Sequence, residues 1–290
     1  MQRTSKLLIA VAVLAACGSA QAAANLTSGG YAENFDSMGT TGKTMPAGWA
    51  AYSISGDHYL WTNLTGMLAT QVSGGTSQSI TSALLDNAIA SGTKNAAPYN
   101  LAHAATSADR VLSTIPTGTA GNVLELTLTN TTGASVNAIK IGYDIVKFTD
   151  GTKQSSIDSK YVVGEELPGY ELFYSVNGGA WTNVSALNPV ATPDGIHPVV
   201  ATGTPSAAGA APTPDYAVTS ISNYTLSFAS ALANGQTLKL RWVDDNAINI
   251  SGDQAIGLNN VSIAAVPEPE TYAMLLAGLG LLGFAARRRG

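Results

Sequence analysis

Residues 25–265 are predicted to form one all-β domain, an antiparallel β-sandwich. Several segments alternate apolar and polar residues with a period of two, which places successive side chains on opposite faces of a strand. The clearest of these are Val123–Thr129, Val136–Phe148 and Thr237–Val243. Asn-Gly dipeptides such as Asn177-Gly178 lie between strand-like segments, and they accept the positive φ of a tight hairpin turn.

The first half of this domain is predicted to contain strands, irregular loops and one short helix. A first strand falls within Gly30–Asp36, and Trp49 and Tyr52 are expected to be core aromatic residues. Thr81–Ala90 has the composition of a short helix, and Asp109–Ile115 that of a strand. The remainder up to residue 122 is rich in serine, glycine and threonine, which is typical of loops.

The second half of the domain shows the clearest strand pattern. Glu171–Val176 and Ala180–Val184 form the best predicted hairpin, and Ala255–Ala264 is the predicted closing strand. Proline recurs six times in residues 186–217, which predicts a long surface loop. Lys239 and Arg241 are expected to face away from the core. The side chains expected to face it are Leu124, Leu126, Leu128, Ile139, Ile141, Tyr143, Ile145, Leu226, Phe228, Leu238, Leu240 and Trp242.

The charge of the domain argues against nucleic acid as a partner. Residues 25–265 hold nine of the 14 basic residues and 17 of the 19 acidic ones, so their net charge is near −8. An acidic surface repels phosphate backbones. Charged residues make up only 11% of the chain, and a surface carrying hydroxyl and amide groups instead is common among extracellular β proteins.

Residues 1–24 have the layout of a secretory signal peptide. Two basic residues come first, then the apolar segment Leu7–Ala16, and then small residues. Cleavage near Ala22–Ala24 fits ordinary signal peptidase and would leave a domain without cysteine or disulfide. The alternative is a lipobox ending at Cys17, whose thiol would be lipidated. We favour ordinary cleavage because a lipid anchor would duplicate the membrane segment at the other end of the chain.

The last 25 residues combine three features in a fixed order. A rigid Pro267-Glu268-Pro269 motif is followed by an uncharged, mostly apolar segment at residues 271–286 and by Arg287-Arg288-Arg289. The apolar segment is a predicted transmembrane helix, with the arginines on the cytoplasmic side of the membrane. As a helix it would span roughly 24 Å, less than the ~30 Å hydrocarbon core of a bilayer, which favours a temporary anchor.

This order of features closely resembles the PEP-CTERM sorting signal of Gram-negative bacteria. The resemblance covers residues 266–290, and it implies that Pro267, Glu268 and Pro269 are recognised by an exosortase, a membrane protease or transpeptidase. It also implies passage through the inner membrane to the cell surface, the outer membrane or the extracellular matrix. An ordinary membrane anchor after a proline-rich stalk is the alternative.

The two ends of the β domain carry a second resemblance. FDS at 35–37 and PAGW at 46–49 resemble the opening of concanavalin A-like domains in secreted bacterial proteins. GQTLKLRWVDDN at 235–246 and AIGLNNVSI at 255–263 resemble their closing strands. The resemblance implies a jelly-roll arrangement of the sandwich, and it implies no particular activity.

One group of oxygen ligands lies between the last two predicted strands. Asp244, Asp245, Asn246 and Asp253 bring carboxylate and amide oxygens into one strand–loop–strand unit, and Ca²⁺ prefers such ligands. Asp36 could join them if the first and last strands are neighbours. The same side chains could instead satisfy the backbone of a turn, which we favour because the spacing is not that of an EF-hand loop. No other cofactor is expected.

The residues that could be catalytic do not form a recognisable set. His58, His103 and His197 are far apart, with no partner at the spacing of a zinc site or a catalytic triad. Glu165 and Glu166 are adjacent, and adjacent residues of a strand face opposite sides, so they would not share a cleft. A glycanase needs two carboxyl groups across one cleft. We therefore predict that the protein is not an enzyme.

The sequence thus predicts an exported, exosortase-sorted, non-catalytic β-sandwich associated with extracellular polysaccharide or biofilm. The alternative is a carbohydrate-binding, lectin-like module or a carbohydrate-active one of concanavalin A-like fold. Aromatic side chains that could stack on sugars in that case are Tyr59, Trp61, Tyr170, Tyr174 and Trp181.

Overall fold

A computed structural model describes residues 22–55, 72–80, 83–85, 97–102, 108–149, 169–192, 195–197, 218–245, 255–266, 279 and 287–288. These residues are built almost entirely from β-strands, with short 3₁₀ turns at Asp36–Met38 and Ser185–Leu187. The strands are β1 Ala24–Leu26, β2 Tyr31–Glu33, β3 Trp49–Ile54, β4 Thr76–Gln78, β5 Ala83–Leu85, β6 Tyr99–Ala102, β7 Arg110–Thr114, β8 Gly121–Asn130, β9 Val136–Thr149, β10 Glu171–Val176, β11 Thr182–Asn183, β12 Val190–Thr192, β13 Gly195–His197, β14 Val218–Leu232, β15 Thr237–Asp245 and β16 Ala255–Ala265.

Most of these strands form two seven-stranded sheets. The first sheet has the order β11-β10-β15-β8-β3-β4, with β1 parallel to the end of β8. The second has the order β14-β9-β16-β7-β6-β5, with β2 against β16. Pairing within the sheets is antiparallel apart from β1–β8 and β5–β6. The predicted all-β, largely antiparallel architecture is therefore confirmed for the described residues.

The two sheets share one hydrophobic core, as expected for a sandwich. Trp242 on β15 of the first sheet lies against Tyr143 on β9 of the second, with ring centroids 5.7 Å apart and an edge-to-face geometry. Within the first sheet, Trp49 on β3 stacks on Trp242 at 5.4 Å. The predicted inward-facing residues of β8, β9 and β15 all belong to this core. The jelly-roll topology of the concanavalin A-like class stays a prediction.

The hairpin at Asn177-Gly178 is confirmed. β10 and β11 pair antiparallel on either side of it. Asn177 and Gly178 have φ values of 49° and 73°, the left-handed conformation that this dipeptide tolerates best. The strand predicted within Gly30–Asp36 is β2, and it is a neighbour of the last strand, because β2 pairs with β16.

The helix predicted over Thr81–Ala90 is wrong where the structure describes it. Ala83–Leu85 forms β5, which pairs parallel with β6. A single helical turn satisfies few of its own backbone groups, whereas the edge of an existing sheet offers donors and acceptors directly. Pairing with the sheet therefore outweighs a weak local helix preference.

Both targeting ends lie mostly outside the described residues. Residues 1–21, including Cys17, are not among them, so the signal peptide and the lipobox alternative stay predictions. Beyond Val266, only Leu279, Arg287 and Arg288 are described. Within the described residues, no helix is long and apolar enough to cross a membrane.

Candidate functional site

An open cleft of about 440 Å³ lies on the outer face of the first sheet. Its floor is formed by β3, β8 and β15, and its sides by residues 43–48 and 77–80. Most of the groups that line it are polar. The lining residues are Lys43, Thr44, Met45, Gly48, Ala50, Tyr52, Ser77, Gln78, Ser79, Ile80, Glu125, Thr127 and Lys239.

The alternation of two strands accounts for the charged floor of this cleft. In β8, Leu124 and Leu126 face the core, so Glu125 between them faces outward. In β15, Lys239 and Arg241 are outward for the same reason. The antiparallel register places Arg241 opposite Glu125 and Lys239 opposite Thr127. Cross-strand neighbours on one face come within reach of each other, and the charges therefore meet.

Glu125 is a buried carboxylate held by two cations. Arg241 Nε donates to its Oε2 at 2.6 Å, and Lys239 Nζ donates to its Oε1 at 3.0 Å. Thr127 Oγ1 lies 3.4 Å from Oε1. Glu125 is only 2% exposed, whereas the Lys239 side chain is 38% exposed. Glu125 therefore accepts both ion-pair contacts at the base of the cleft, and Lys239 is the partner exposed to solvent.

Arg241 is clamped between two aromatic rings. Its guanidinium carbon lies 4.6 Å from the centroid of Tyr52 and 4.6 Å from that of Trp181, distances typical of cation–π contacts. Nη1 donates to the carbonyl oxygen of Gly74 at 3.0 Å and to that of Val72. The predicted outward direction of Arg241 is right, yet the side chain is buried because residues 72–74 and the two rings cover it.

The sequence did not single out Glu125, Lys239 and Arg241 as a group. Their outward orientation could be predicted from the alternation, but their proximity depends on the register of β15 against β8. Of the proposed sugar-stacking residues, Trp181 packs on Arg241, and Tyr170 and Tyr174 are buried. Tyr59 and Trp61 lie outside the described residues.

The calcium prediction rests on residues that the structure describes only in part. Asp244 is fully buried, and Thr114 Oγ1 donates to its Oδ2 at 2.5 Å. Asp245 ends β15, whereas Asn246 and Asp253 lie outside the described residues. The described part of the chain holds no group of three or more His, Cys, Asp or Glu side chains that could bind a metal ion. The Ca²⁺ site stays a prediction.

Asp244 belongs to a buried polar cluster at one end of the sandwich. The Tyr170 hydroxyl lies 2.9 Å from Thr114 Oγ1 and donates to the carbonyl oxygen of Ile256 at 3.1 Å. Burial raises the pKa of the Tyr170 phenol well above its ordinary value, and the neighbouring Asp244 carboxylate raises it further. The Tyr170 side chain therefore stays neutral and ties the two sheets together by hydrogen bonds.

Asp36 has a separate role in holding a loop. Its Oδ1 accepts the backbone N–H of Arg110 at 2.9 Å, in the loop that follows β2. The Arg110 side chain donates to Asn100 through Nε at 2.6 Å, and Asn100 in turn donates to the carbonyl oxygens of Gly39 and Gly42. These bonds fix residues 36–42 against β6 and β7.

The remaining candidates from the sequence are not brought together by the described structure. His197 is the last residue of β13. Arg287 and Arg288 are described, but Arg289 is not. The other candidates outside the described residues are His58, His103, Glu165, Glu166, Pro267, Glu268 and Pro269.

The C-terminal segment matches a known protein family. Residues 265–289 match the family described as the PEP-CTERM protein-sorting motif. The chain carries a PEP-CTERM sorting motif. This motif marks an exported protein of Gram-negative bacteria that is sorted at the membrane by an exosortase. It covers only the end of the chain, so the family of the β domain in front of it is not determined by this match.

The comparisons say little about the β domain itself. No curated protein matches the chain. A Stig cyclase, Fisc, from Fischerella sp. TAU has a TM-score of 0.34 and 14% identity over 82% of this chain and 99% of its own. A cyclase from the same organism gives 0.34 and 15% over 81% and 94%. The catalytic domain of a GH87 α-1,3-glucanase gives 0.22 and 16% over 56% and 23%. Scores this low assign no function to the chain.

Proposed function

We propose that this PEP-CTERM protein is a non-catalytic component of the cell surface or extracellular matrix, and that its cleft binds extracellular polysaccharide. The observation that carries the proposal is the cleft itself, which is concave, open and lined by hydroxyl, amide and ammonium groups beside the half-buried ring of Tyr52. Polar groups of this kind match sugar hydroxyls, and an aromatic ring offers an apolar face for a sugar ring.

The environment of Glu125 supports binding without catalysis. A glycosidase needs a protonated carboxyl group to protonate the leaving oxygen and a second carboxyl group across the cleft. Glu125 is the one carboxyl group among the described lining residues, and both of its oxygens are engaged by Arg241 and Lys239. One carboxyl group in an ion-pair network does not supply the pair of carboxyl groups that glycoside hydrolysis requires.

The test is binding and turnover measured on the same sample. We expect the exported chain to co-sediment with the exopolysaccharide of the producing strain and to release no new reducing ends from it. Tyr52→Leu removes the ring from the cleft and should weaken the association by up to about tenfold, the range of a single aromatic contact. Tyr224→Leu is the matched control, because Tyr224 is a partly buried tyrosine on β14 of the other sheet.

Each contrary result has a distinct meaning. Steady release of reducing ends would replace the binding proposal with a carbohydrate-active enzyme. Absence of co-sedimentation with any polysaccharide would overturn the proposal altogether. An equal loss in Tyr52→Leu and Tyr224→Leu would show that the cleft is not the binding site.

A further inference from the structure

We propose that the polysaccharide bound in the cleft is anionic, and that Lys43 and Lys239 contact its acidic groups. This inference rests on the proposed function and adds the chemical class of the ligand and the residues that select it. Lys43 and Lys239 both line the cleft, one from the loop before β3 and one from β15. The acidic groups expected on such a polymer are the carboxylates of uronic acids or sulfate esters.

The first argument is the sign of the charge in the cleft. The charged side chains that line it, among the described residues, are Lys43, Glu125 and Lys239. Arg241 forms the closer contact with Glu125, at 2.6 Å, and it is buried with that carboxylate. Lys239 also pairs with Glu125, at 3.0 Å, and the sum over Lys43, Lys239, Arg241 and Glu125 is a local charge near +2.

The second argument is the contrast with the rest of the domain. Residues 25–265 carry a net charge near −8, so an anionic polymer is repelled by most of the surface. A positive cleft on such a domain attracts the polymer to one place and orients it there. Exposed charges act over roughly 8 Å at physiological salt, so the lysines act mainly on groups that enter the cleft.

The third argument is the position of the two ammonium groups relative to the polar walls. Lys43 is exposed, and the Lys239 side chain is 38% exposed beside Thr127, its neighbour across the sheet. Ser77, Gln78 and Ser79 supply hydroxyl and amide groups along one wall. Ammonium groups can therefore pair with acidic substituents while the wall meets the sugar hydroxyls. Lysine acts as a point charge, so it accepts carboxylate and sulfate alike.

Nucleic acid is a less suitable anion for this site. Binding of a duplex draws on many phosphate contacts, whereas the cleft has a net charge of only about +2 on an acidic domain. A polysaccharide with one acidic group every few sugars needs no more than that. DNA therefore serves as a negative control in the test.

The experiment compares polymers that differ only in charge. Immobilised dextran and dextran sulfate share one backbone, and polygalacturonate supplies carboxylates in place of sulfates. The full exported chain should bind dextran sulfate, polygalacturonate or both, and neutral dextran and DNA weakly. Binding should fall as NaCl rises from about 0.02 M to about 0.5 M, because exposed charges are screened. Preference for one anionic polymer would identify which acidic group the cleft favours.

Charge-removing variants locate the contacts. Lys43→Gln and Lys239→Gln should each lower the affinity for the anionic polymer by up to about fivefold, the range of one exposed ion pair, and the double variant by more. Lys140→Gln is the matched control, because Lys140 is an exposed lysine on β9 of the second sheet. It should leave the affinity unchanged. Thermal unfolding of each variant shows that the fold is intact.

The outcomes separate this inference from the proposed function. Equal binding of neutral and anionic polysaccharides, unaffected by Lys43→Gln and Lys239→Gln, would overturn the inference and leave the proposed function in place. An equal loss of affinity in Lys140→Gln, or tight binding of DNA, would show that the binding is general electrostatic attraction. Either result would also overturn the inference. Failure to bind the producing strain's own polysaccharide or any other would overturn both.

Discussion

At the scale of single residues, Glu33 shows how one side chain supports an unusual backbone conformation. Phe35 has a φ of 63°, which is rare for a bulky residue, and its ring is fully buried 4.9 Å from Trp49. The Glu33 Oε1 atom accepts the backbone N–H of Phe35 at 2.7 Å. The hydrogen bond offsets part of the strain that this left-handed residue stores.

The same carboxyl group predicts a pH-dependent contribution to stability. Burial raises the pKa of Glu33 above its ordinary value, and this outweighs the lowering by the backbone N–H groups of Phe35 and Asn34. A raised acid pKa means that the fold favours the neutral form, so this contribution is present in acid and is lost as the pH rises through the folded pKa. Glu33→Gln keeps the oxygen that accepts the Phe35 N–H and cannot ionise.

We therefore expect Glu33→Gln to unfold at a higher temperature than the native chain at about pH 7, and at nearly the same temperature at about pH 3, where both side chains are neutral. Calorimetric scans over this range measure the difference. Glu33→Ala is the control, since it also removes the acceptor and should be less stable than Glu33→Gln at both pH values. If the difference in unfolding temperature between the native chain and Glu33→Gln increased as the pH fell, it would contradict the raised pKa of Glu33.

At the scale of elements, the pairing of β8 with β15 brings two buried charges together. Arg241 and Glu125 are 5% and 2% exposed, so removal of one partner leaves the other charge in a poorly solvated place. Arg241→Met retains much of the length of the side chain and its packing between Tyr52 and Trp181. It also removes the hydrogen bonds to the carbonyl oxygens of Val72 and Gly74.

We expect Arg241→Met to lower the free energy of unfolding by about 3–5 kcal/mol, the usual cost of leaving one half of a buried ion pair. Urea unfolding measures it. Lys239→Met, on the partly exposed side of the same carboxylate, should cost less than about 1 kcal/mol. The double variant Glu125→Met/Arg241→Met should recover part of the loss. Equal effects of Arg241→Met and Lys239→Met would refute the distinction between the buried and the exposed partner.

The elements also show which parts of the structure could be predicted from the sequence. Alternation gives the direction of each side chain, so the core faces of β8, β9 and β15 could be predicted. Register depends on which strands become neighbours, and it is this that joins Lys239 and Arg241 to Glu125. Alternation also does not show what covers an outer face. Arg241 is buried because residues 72–74 and Trp181, distant in sequence, lie over it.

The failed helix has the same origin. Ala83–Leu85 is a short apolar segment whose structure depends on its neighbour β6 rather than on its own periodicity.

The PEP-CTERM motif, in contrast, does not depend on neighbouring strands. The motif is defined by the linear order of a proline motif, an apolar segment and basic residues, so it could be recognised from the sequence without any tertiary structure.

At the scale of the whole molecule, the sorting motif and the β domain are joined at the last strand. β16 ends at Ala265, and the matched motif begins at the same residue. Ala265 still pairs with Ile139 of β9. β16 therefore ends just before Pro267, and processing within Pro267–Pro269 would leave every described strand intact.

Substitution of the proline motif tests whether sorting depends on this motif and not on the folded β domain. We expect the chain recovered from the cell surface or medium to lack the C-terminal segment, by intact mass. Pro267→Ala/Pro269→Ala should retain the full tail and remain in the membrane fraction, because it removes the rigid motif that we expect the exosortase to recognise. Pro212→Ala/Pro214→Ala changes another Pro-x-Pro sequence, in the proline-rich region upstream, and should be processed like the native chain.

The domain must remain folded for this comparison to bear on sorting. Equal thermal unfolding of the native chain and the Pro267→Ala/Pro269→Ala variant is expected, since the substitutions lie after the last strand. If the native chain itself keeps its tail and stays in the membrane, the segment is a permanent anchor. If the upstream control is also retained, the effect belongs to export in general rather than to recognition of the motif. The result that separates sorting from structure has two parts. The native chain and Pro212→Ala/Pro214→Ala are cleaved while Pro267→Ala/Pro269→Ala is not, and all three proteins have an intact fold.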